Sequence, residues 1–375
     1  MKKFFLTIAV VIGIVSISCG GDDSSGSGEP GGSGSQNNEF DRSAILVSWA
    51  DDFIIPQLDA FLAETKLLTA AKDSFVANAN ETNLISLRVA LTNTYLSFQP
   101  IATYAEFGLA AETELAFYFN LNAHPLNVGE TESNIVDVAN VDLNTAGSRD
   151  AQGLPAVDYL VNGLGDTDAD IAAFYTGAEA DNYKTYLSLV VDRIENITQQ
   201  VVDSWANGYR ATFVENTSSS SAGSFDVFIN NYIEYFERRL RASKVGIPAG
   251  VFTTNTFPDQ IESLYNPTLS KELLLVALDN AEALYLGAEN SEQSLSSILI
   301  DLEKTELDTE IKGFFTAAQV EINDELMDDL RLQVITDNSK MLSARDALQR
   351  IVGRLKADMT SALGVDITFI DNDGD

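Results

Sequence analysis

Apolar residues at helical spacing constrain this chain more than any other feature. Ile45, Leu46, Trp49 and Phe53 recur at intervals of one, three and four, and Leu58, Phe61 and Leu62 carry the pattern on. That spacing lines one face of a helix and predicts helix over 43–78. Ser43 is placed to cap its start. Pro56 is expected to kink or split it, because proline lacks the N–H a helix interior needs. A second helix is predicted over 81–107, through Leu84, Leu87, Leu91, Tyr95 and Phe98, with a bend at Pro100. Further periodic runs predict helices over 179–215, 224–244, 269–287, 292–304, 306–335 and 339–363. Gly364 suits the position just past the last of them. Residues 108–150 and 245–267 read as irregular. No alternation of strand and helix appears. The expected fold class is all-α: two helical-bundle domains of antiparallel helices joined by irregular loops. The division expected is an N-terminal helical domain over 43–178 and a C-terminal helical bundle over 179–375.

The start of the chain has a different character. Met1, Lys2 and Lys3 precede the apolar run "FFLTIAVVIGIVSIS", which ends just before Cys19. A short basic region, an apolar stretch too short to span a bilayer and a small-residue end predict a signal peptide over 1–18. Cys19 is the only cysteine, so it has no disulfide partner and no cysteine co-ligand. "SISC" resembles a lipobox, which makes Cys19 the expected lipidation site. Gly, Ser and acidic residues dominate the stretch after Cys19, predicting a lipidated flexible tether over 19–42. The expected location is the bacterial cell envelope, on the outer membrane, with the lipid on Cys19 as the membrane contact.

Charge and residue types narrow the chemistry. Against 56 acidic residues stand 23 basic ones, a net charge of −33. Such a chain repels nucleic acid, and no nucleic-acid partner is expected. One histidine, His124, rules out any site built on two histidines of this chain. No Walker loop, no His-Glu-x-x-His stretch and no Gly-x-Ser-x-Gly elbow is present. A serine triad would have to use His124, whose alternatives are a turn histidine or a single haem or metal ligand. "DITFIDNDGD" alternates Asp371, Asp373 and Asp375 like the opening of a calcium loop, but the chain stops before a closing glutamate. "YFERRLRASK" gathers Arg238, Arg239, Arg241 and Lys244 in a base-poor chain. These side chains either complement a helix C-terminus or hold an anion. Arg241 is the candidate partner for a buried carboxylate.

The most specific stretch is "GLPAVDYLVNG", residues 153–163. Pro155 suits the first turn of a helix, and Gly153 permits a tight turn or a close backbone neighbour. Val157, Leu160 and Val161 form an inward stripe. Asp158 sits near the positive end of the helix dipole, which favours its ionised form. Asn162 and Gly163 end the helix.

Together, "WADDFIIPQLDAFLAETKLL", "GLPAVDYLVNG", "RASKVGIPAGVF" and "LGVDITFIDNDGD" resemble the imelysin-like lipoproteins, a family classed with metallopeptidases. The resemblance spans about 43–375. It aligns the family's Gly-x-His-x-x-Glu signature with Gly153, Leu154, Pro155, Ala156, Val157 and Asp158. Proline replaces the histidine and aspartate the glutamate. The resemblance implies a two-domain helical fold and a role linked to bacterial iron acquisition, with iron-uptake outer-membrane components as partners. Iron, haem or another divalent metal is the cofactor class it implies, and Asp158 the one metal ligand left in the motif. Pro155 cannot ligate through its side chain, so non-proteolytic binding fits better than hydrolysis. Gly153, Leu154, Pro155, Asp158, Tyr159 and Arg241 are the expected site residues, with no catalytic residue assigned. The alternatives are a metallopeptidase and a structural surface-presented interaction lipoprotein.

Overall fold

A computed structural model describes residues 40–105, 110–289 and 292–369. The signal-peptide, lipidation and tether expectations up to residue 39, and Asp371, Asp373 and Asp375, lie outside the described residues. Every regular element among the described residues is helical.

Helix α1 runs over 42–77 as an α-helical turn Arg42–Ser48, a π-helical turn Trp49–Ile54 and the long segment Ile55–Ala77. Its cap is Asp41 rather than the expected Ser43: the Asp41 carboxylate accepts the Ser43 N–H at 2.9 Å. Pro56 does not split the helix. It falls in the first turn of Ile55–Ala77, directly after the wider π turn. α2 spans Glu81–Ala102 with Asn80 as its cap, and contains Pro100 near its end. The motif helix α3 comprises Gly153–Asp158 and the π-helical turn Tyr159–Gly163. α4 spans Ala180–Ser204, and the helix predicted to continue to 215 is interrupted there. Asn207 and Gly208 leave helical geometry, Gly208 with φ 126°, before Arg210–Glu215 resumes. α5 covers 224–246, with its second half, Phe236–Gly246, π-helical. α6 is Ser270–Leu286 and α7 is Thr305–Glu325. The helix expected over 306–335 is thus two, the second being Leu330–Thr336 with its own cap, Asp329. α8 covers 338–363 and ends at Gly364, which adopts the left-handed conformation (φ 68°) as expected.

Packing follows the apolar stripes. α1 lies against both α2 and α4, while α7, α8 and the π-helical half of α5 pack together; α6 touches α2, α5 and α7. Helix packing therefore runs across residue 178, and the described residues belong to one compact unit. Trp49 stacks on Phe228 at 4.1 Å and on Phe225 at 5.4 Å, joining α1 to α5. Lys72, only 3% exposed, reaches Asp73 and Asp192, each at 2.6 Å, tying α1 to α4. No described helix is long and apolar enough to cross a membrane. Trp49→Ala is expected to lower the unfolding free energy by about 3–5 kcal/mol, the range for emptying a buried aromatic site. Urea unfolding checks it; a loss under about 1 kcal/mol contradicts the packing role.

Candidate functional site

The segment 108–150, irregular in sequence, folds into short helical pieces, among them Phe117–Asn122, Val128–Val136 and Ala146–Ala151. The first of these sets the position of α3. Gly153 has φ 72°, and a Cβ there would stand 2.4 Å from the Leu121 carbonyl oxygen and 2.8 Å from that of Asn120. Glycine is required twice over, by the left-handed backbone and by the close approach. All of Gly153–Asp158 is buried. At the other end of α3, carbonyls left without intrahelical partners are met by side chains. The Tyr175 hydroxyl donates to Leu160 O at 2.8 Å, and Arg88 Nε donates to Val161 O at the same distance. Arg88 also pairs with Asp168 at 2.5 Å.

Asp158 is 1% exposed. Asn162 Nδ2 donates to one oxygen at 2.9 Å, and the backbone N–H of Tyr265 donates to the other at 2.9 Å, with help from the N–H of Asn266. The expectation of a readily ionised carboxylate at a helix start needs correction. Burial is the largest effect and pushes its pKa up to about 6, against these hydrogen bonds and the Arg88 charge. Asp158 is a latch between α3 and the loop before α6. The loop bends sharply here, with Ser263 at φ 58°. Tyr159 extends the latch: its ring lies 5.1 Å from that of Tyr265, and its hydroxyl donates to Glu132. Arg241 is 1% exposed but meets Glu237 and Gln349. Lys356 joins Glu237 at 2.8 Å.

A second buried cluster lies beside the motif. Glu262, 3% exposed, pairs with Lys244, 4% exposed. Its other oxygen accepts from Asn122 Nδ2 at 2.6 Å and from Gln99 Nε2 at 3.0 Å. Lys244 also donates to Gln99 Oε1 at 2.8 Å. Burial alone would raise the Glu262 pKa, but Lys244, His124 and the hydrogen bonds hold it at about 2. Tyr95, from α2, feels both Asp158 and Glu262, and burial with these carboxylates keeps its phenol neutral. His124 sits at the edge of the cluster, half-buried, its Nε2 3.2 Å from Ser243 Oγ. Sequence reasoning misses Glu262; its one signal is an acid inside the otherwise uncharged run "QIESLYNP".

As a metal centre the motif does not fit. Pro155 offers no side-chain donor, and both Asp158 oxygens accept N–H groups, which an ion would have to displace. Among the described residues, no three His, Cys, Asp or Glu side chains are grouped to hold a metal ion.

Gly153→Ala is expected to cost about 3 kcal/mol or more in urea unfolding, from the backbone and the clash together; a near-neutral effect contradicts the close approach. Glu262→Ala is expected to cost about 3–5 kcal/mol, because it strands a buried ammonium. The double variant Lys244→Met/Glu262→Met should recover part of that loss; equal or greater destabilisation would show that the pair is not the source. The pH dependence of Asp158 has a definite sign. Its folded pKa is raised, so its favourable contribution is full below the unfolded value near 4 and is lost as pH rises through about 6. Asp158→Asn should therefore flatten the fall in stability between pH 4 and 7 by about 3 kcal/mol relative to wild type. Parallel curves for the two proteins contradict it.

The matches to known proteins agree with this architecture. The family model for imelysin, peptidase family M75, matches residues 54–357. No curated protein matches the chain. An iron-regulated protein A precursor from Parabacteroides distasonis ATCC 8503 superposes with a TM-score of 0.68 at 16% identity, covering 86% of this chain and 94% of its own. An imelysin-like protein from Psychrobacter arcticum 273-4 gives 0.69 at 15% identity, covering 88% and 97%. At these identities the structures share the fold. The family match over most of the chain carries the assignment: this protein is a member of the imelysin family.

Proposed function

We propose that this chain is a non-proteolytic lipoprotein of the cell envelope, anchored through Cys19, that binds a partner or ligand in bacterial iron acquisition. The observation that carries the non-proteolytic part is the state of the motif. Pro155 stands where the family signature has a histidine, and the Asp158 carboxylate is engaged on both oxygens by Asn162 and Tyr265. A hydrolytic centre needs a ligand set or a base facing substrate, and this motif faces inward. Support for the iron connection is family membership and a structural relative described as an iron-regulated protein A precursor. The surroundings of Gly153 to Tyr159, where α3 meets the 263–266 loop, form the region whose disturbance would transmit binding.

The full chain should leave peptide substrates intact with or without added zinc or ferrous iron, and in its own cells its abundance should rise when iron is withdrawn. Chelator-sensitive cleavage, lost in Asp158→Ala, would overturn the non-proteolytic part, and abundance indifferent to iron would overturn the link to iron. Labelled palmitate should enter the chain and be absent from Cys19→Ala; unlabelled wild type would contradict the anchor.

A further inference from the structure

A groove of about 400 Å³ runs along α4, within the roughly 300–1,000 Å³ of small-molecule sites. One wall is the loop 141–144. The other is the α4 face that carries Leu189, Asp192, Arg193, Asn196, Ile197 and Gln200, positions three and four apart that share one side of a helix. Arg193 joins the two walls. Its Nη1 donates to Asn144 Oδ1 at 2.7 Å, and its Nε donates to Gln152 Oε1 at 2.6 Å. Both partners are neutral. Among the described residues Arg193 forms no ion pair and its Nη2 makes no hydrogen bond, in a chain where 56 acidic residues face 23 basic ones. The guanidinium is half-buried. Burial pulls its pKa down, with the Asp142 charge opposing. A half-buried cation held only by neutral groups lacks charge compensation. Asn144 links Asp142 to the same contacts: its backbone N–H and its Nδ2 each donate to Asp142 Oδ1 at 2.9 Å. These bonds hold the exposed Asp142 carboxyl below its usual range. Its Oδ2 accepts nothing from the described residues. Asn196, one helical turn beyond Arg193, accepts from Gln200 at 2.9 Å, and its own Nδ2 donates to none of the described residues. Leu189, 39% exposed, and the half-buried Val141 supply apolar surface.

We propose that this groove binds an α-amino acid with an apolar side chain, its carboxylate on Arg193 Nη2 and Asn196 Nδ2, its ammonium on Asp142 Oδ2, and its side chain against Val141 and Leu189. The lining offers one uncompensated cation, one open carboxylate oxygen a single amide away from it, and apolar surface, and a zwitterion complements all three. Charge-assisted hydrogen bonds at both ends fix its orientation. A dianion such as phosphate would meet Asp142 on one wall and Asp192 on the other, and a simple cation would meet Arg193, so the charges reject both. Asp192 is already engaged by Lys72 at 2.6 Å, which leaves the ammonium to Asp142. Arg193 keeps Asn144 and Gln152, so the ligand adds contacts and displaces none. Gln152 directly precedes Gly153, so a ligand on Arg193 bears on the start of α3. The site does not depend on the iron-linked reading, since it uses none of the motif side chains.

The test is calorimetric titration of the full chain in detergent at pH 7 with L-leucine, and with isocaproate and isoamylamine, which keep its carbon skeleton but lack the ammonium and the carboxylate respectively. Saturable binding of L-leucine is expected, weakened about tenfold or more in each of Arg193→Gln and Asp142→Asn. Isocaproate and isoamylamine should each bind about tenfold or more weakly than L-leucine. The loss from Asp142→Asn should be confined to L-leucine and isoamylamine, leaving isocaproate unaffected. No saturable binding of L-leucine, affinity unchanged in folded variants, or isocaproate binding as tightly as L-leucine overturns the site. If Arg193→Gln unfolds through the loss of Asn144 and Gln152, Asp142→Asn decides alone, since that side chain is exposed and the asparagine oxygen still accepts from Asn144.

Discussion

The buried pairing of Lys244 with Glu262 is the interaction on which the rest of this region depends. Neither charge has water to solvate it, so each persists only because the other, and two amides, stand beside it. Those amides come from α2 (Gln99) and from the end of the Phe117–Asn122 helix (Asn122), while Lys244 comes from α5 and Glu262 from the loop before α6. One polar knot thereby joins four distant parts of the chain. Against it lies the Leu121 carbonyl that Gly153 approaches, and from Gly153 the motif helix begins. Two carbonyl oxygens, one ion pair and one glycine together set where Asp158 is.

This geometry gives the family motif a structural meaning in this chain. Asp158 ends α3's inward-facing turn, where it collects the N–H groups of Tyr265 and Asn266 and the amide of Asn162. A carboxylate so engaged holds a loop. The cost of burying it, visible in a pKa raised to about 6, is a strain that hydrogen bonds only partly relieve. Proline at 155 is consistent with that role, since it stiffens the first turn and brings no chemistry of its own.

Much of the helix layout is legible in the residues because burial demands a 3.6-residue period, and α1, α2, α6 and α8 follow it closely. The end of α8 is legible too, because a left-handed C-terminal residue favours glycine. Features with no local period escape such a reading. π-Helical turns at Trp49–Ile54 and Phe236–Gly246 preserve an apolar face while shifting register, so spacing does not reveal them. The cap of α1 falls to Asp41 because its carboxylate reaches the N–H of the second residue on. Within the site, Gly153 announces a close approach, but Lys244 and Glu262 lie eighteen positions apart across an irregular loop. The run of bases around Arg241 leaves two readings open in the sequence, a helix C-terminus or a held anion; in the fold Arg241 and Lys244 turn inward, Arg241 to Glu237 and Lys244 to Glu262.

Amide hydrogen exchange at Tyr265 tests most directly whether Asp158 serves as an internal latch. That N–H is bound only if the carboxylate accepts it. Tyr265 should exchange slowly in the native protein, well below the rate of exposed loop amides, and its protection should vanish in Asp158→Ala while the core of α6 stays protected. Rapid exchange at Tyr265 in the native protein would contradict the latch and free the carboxylate for another role.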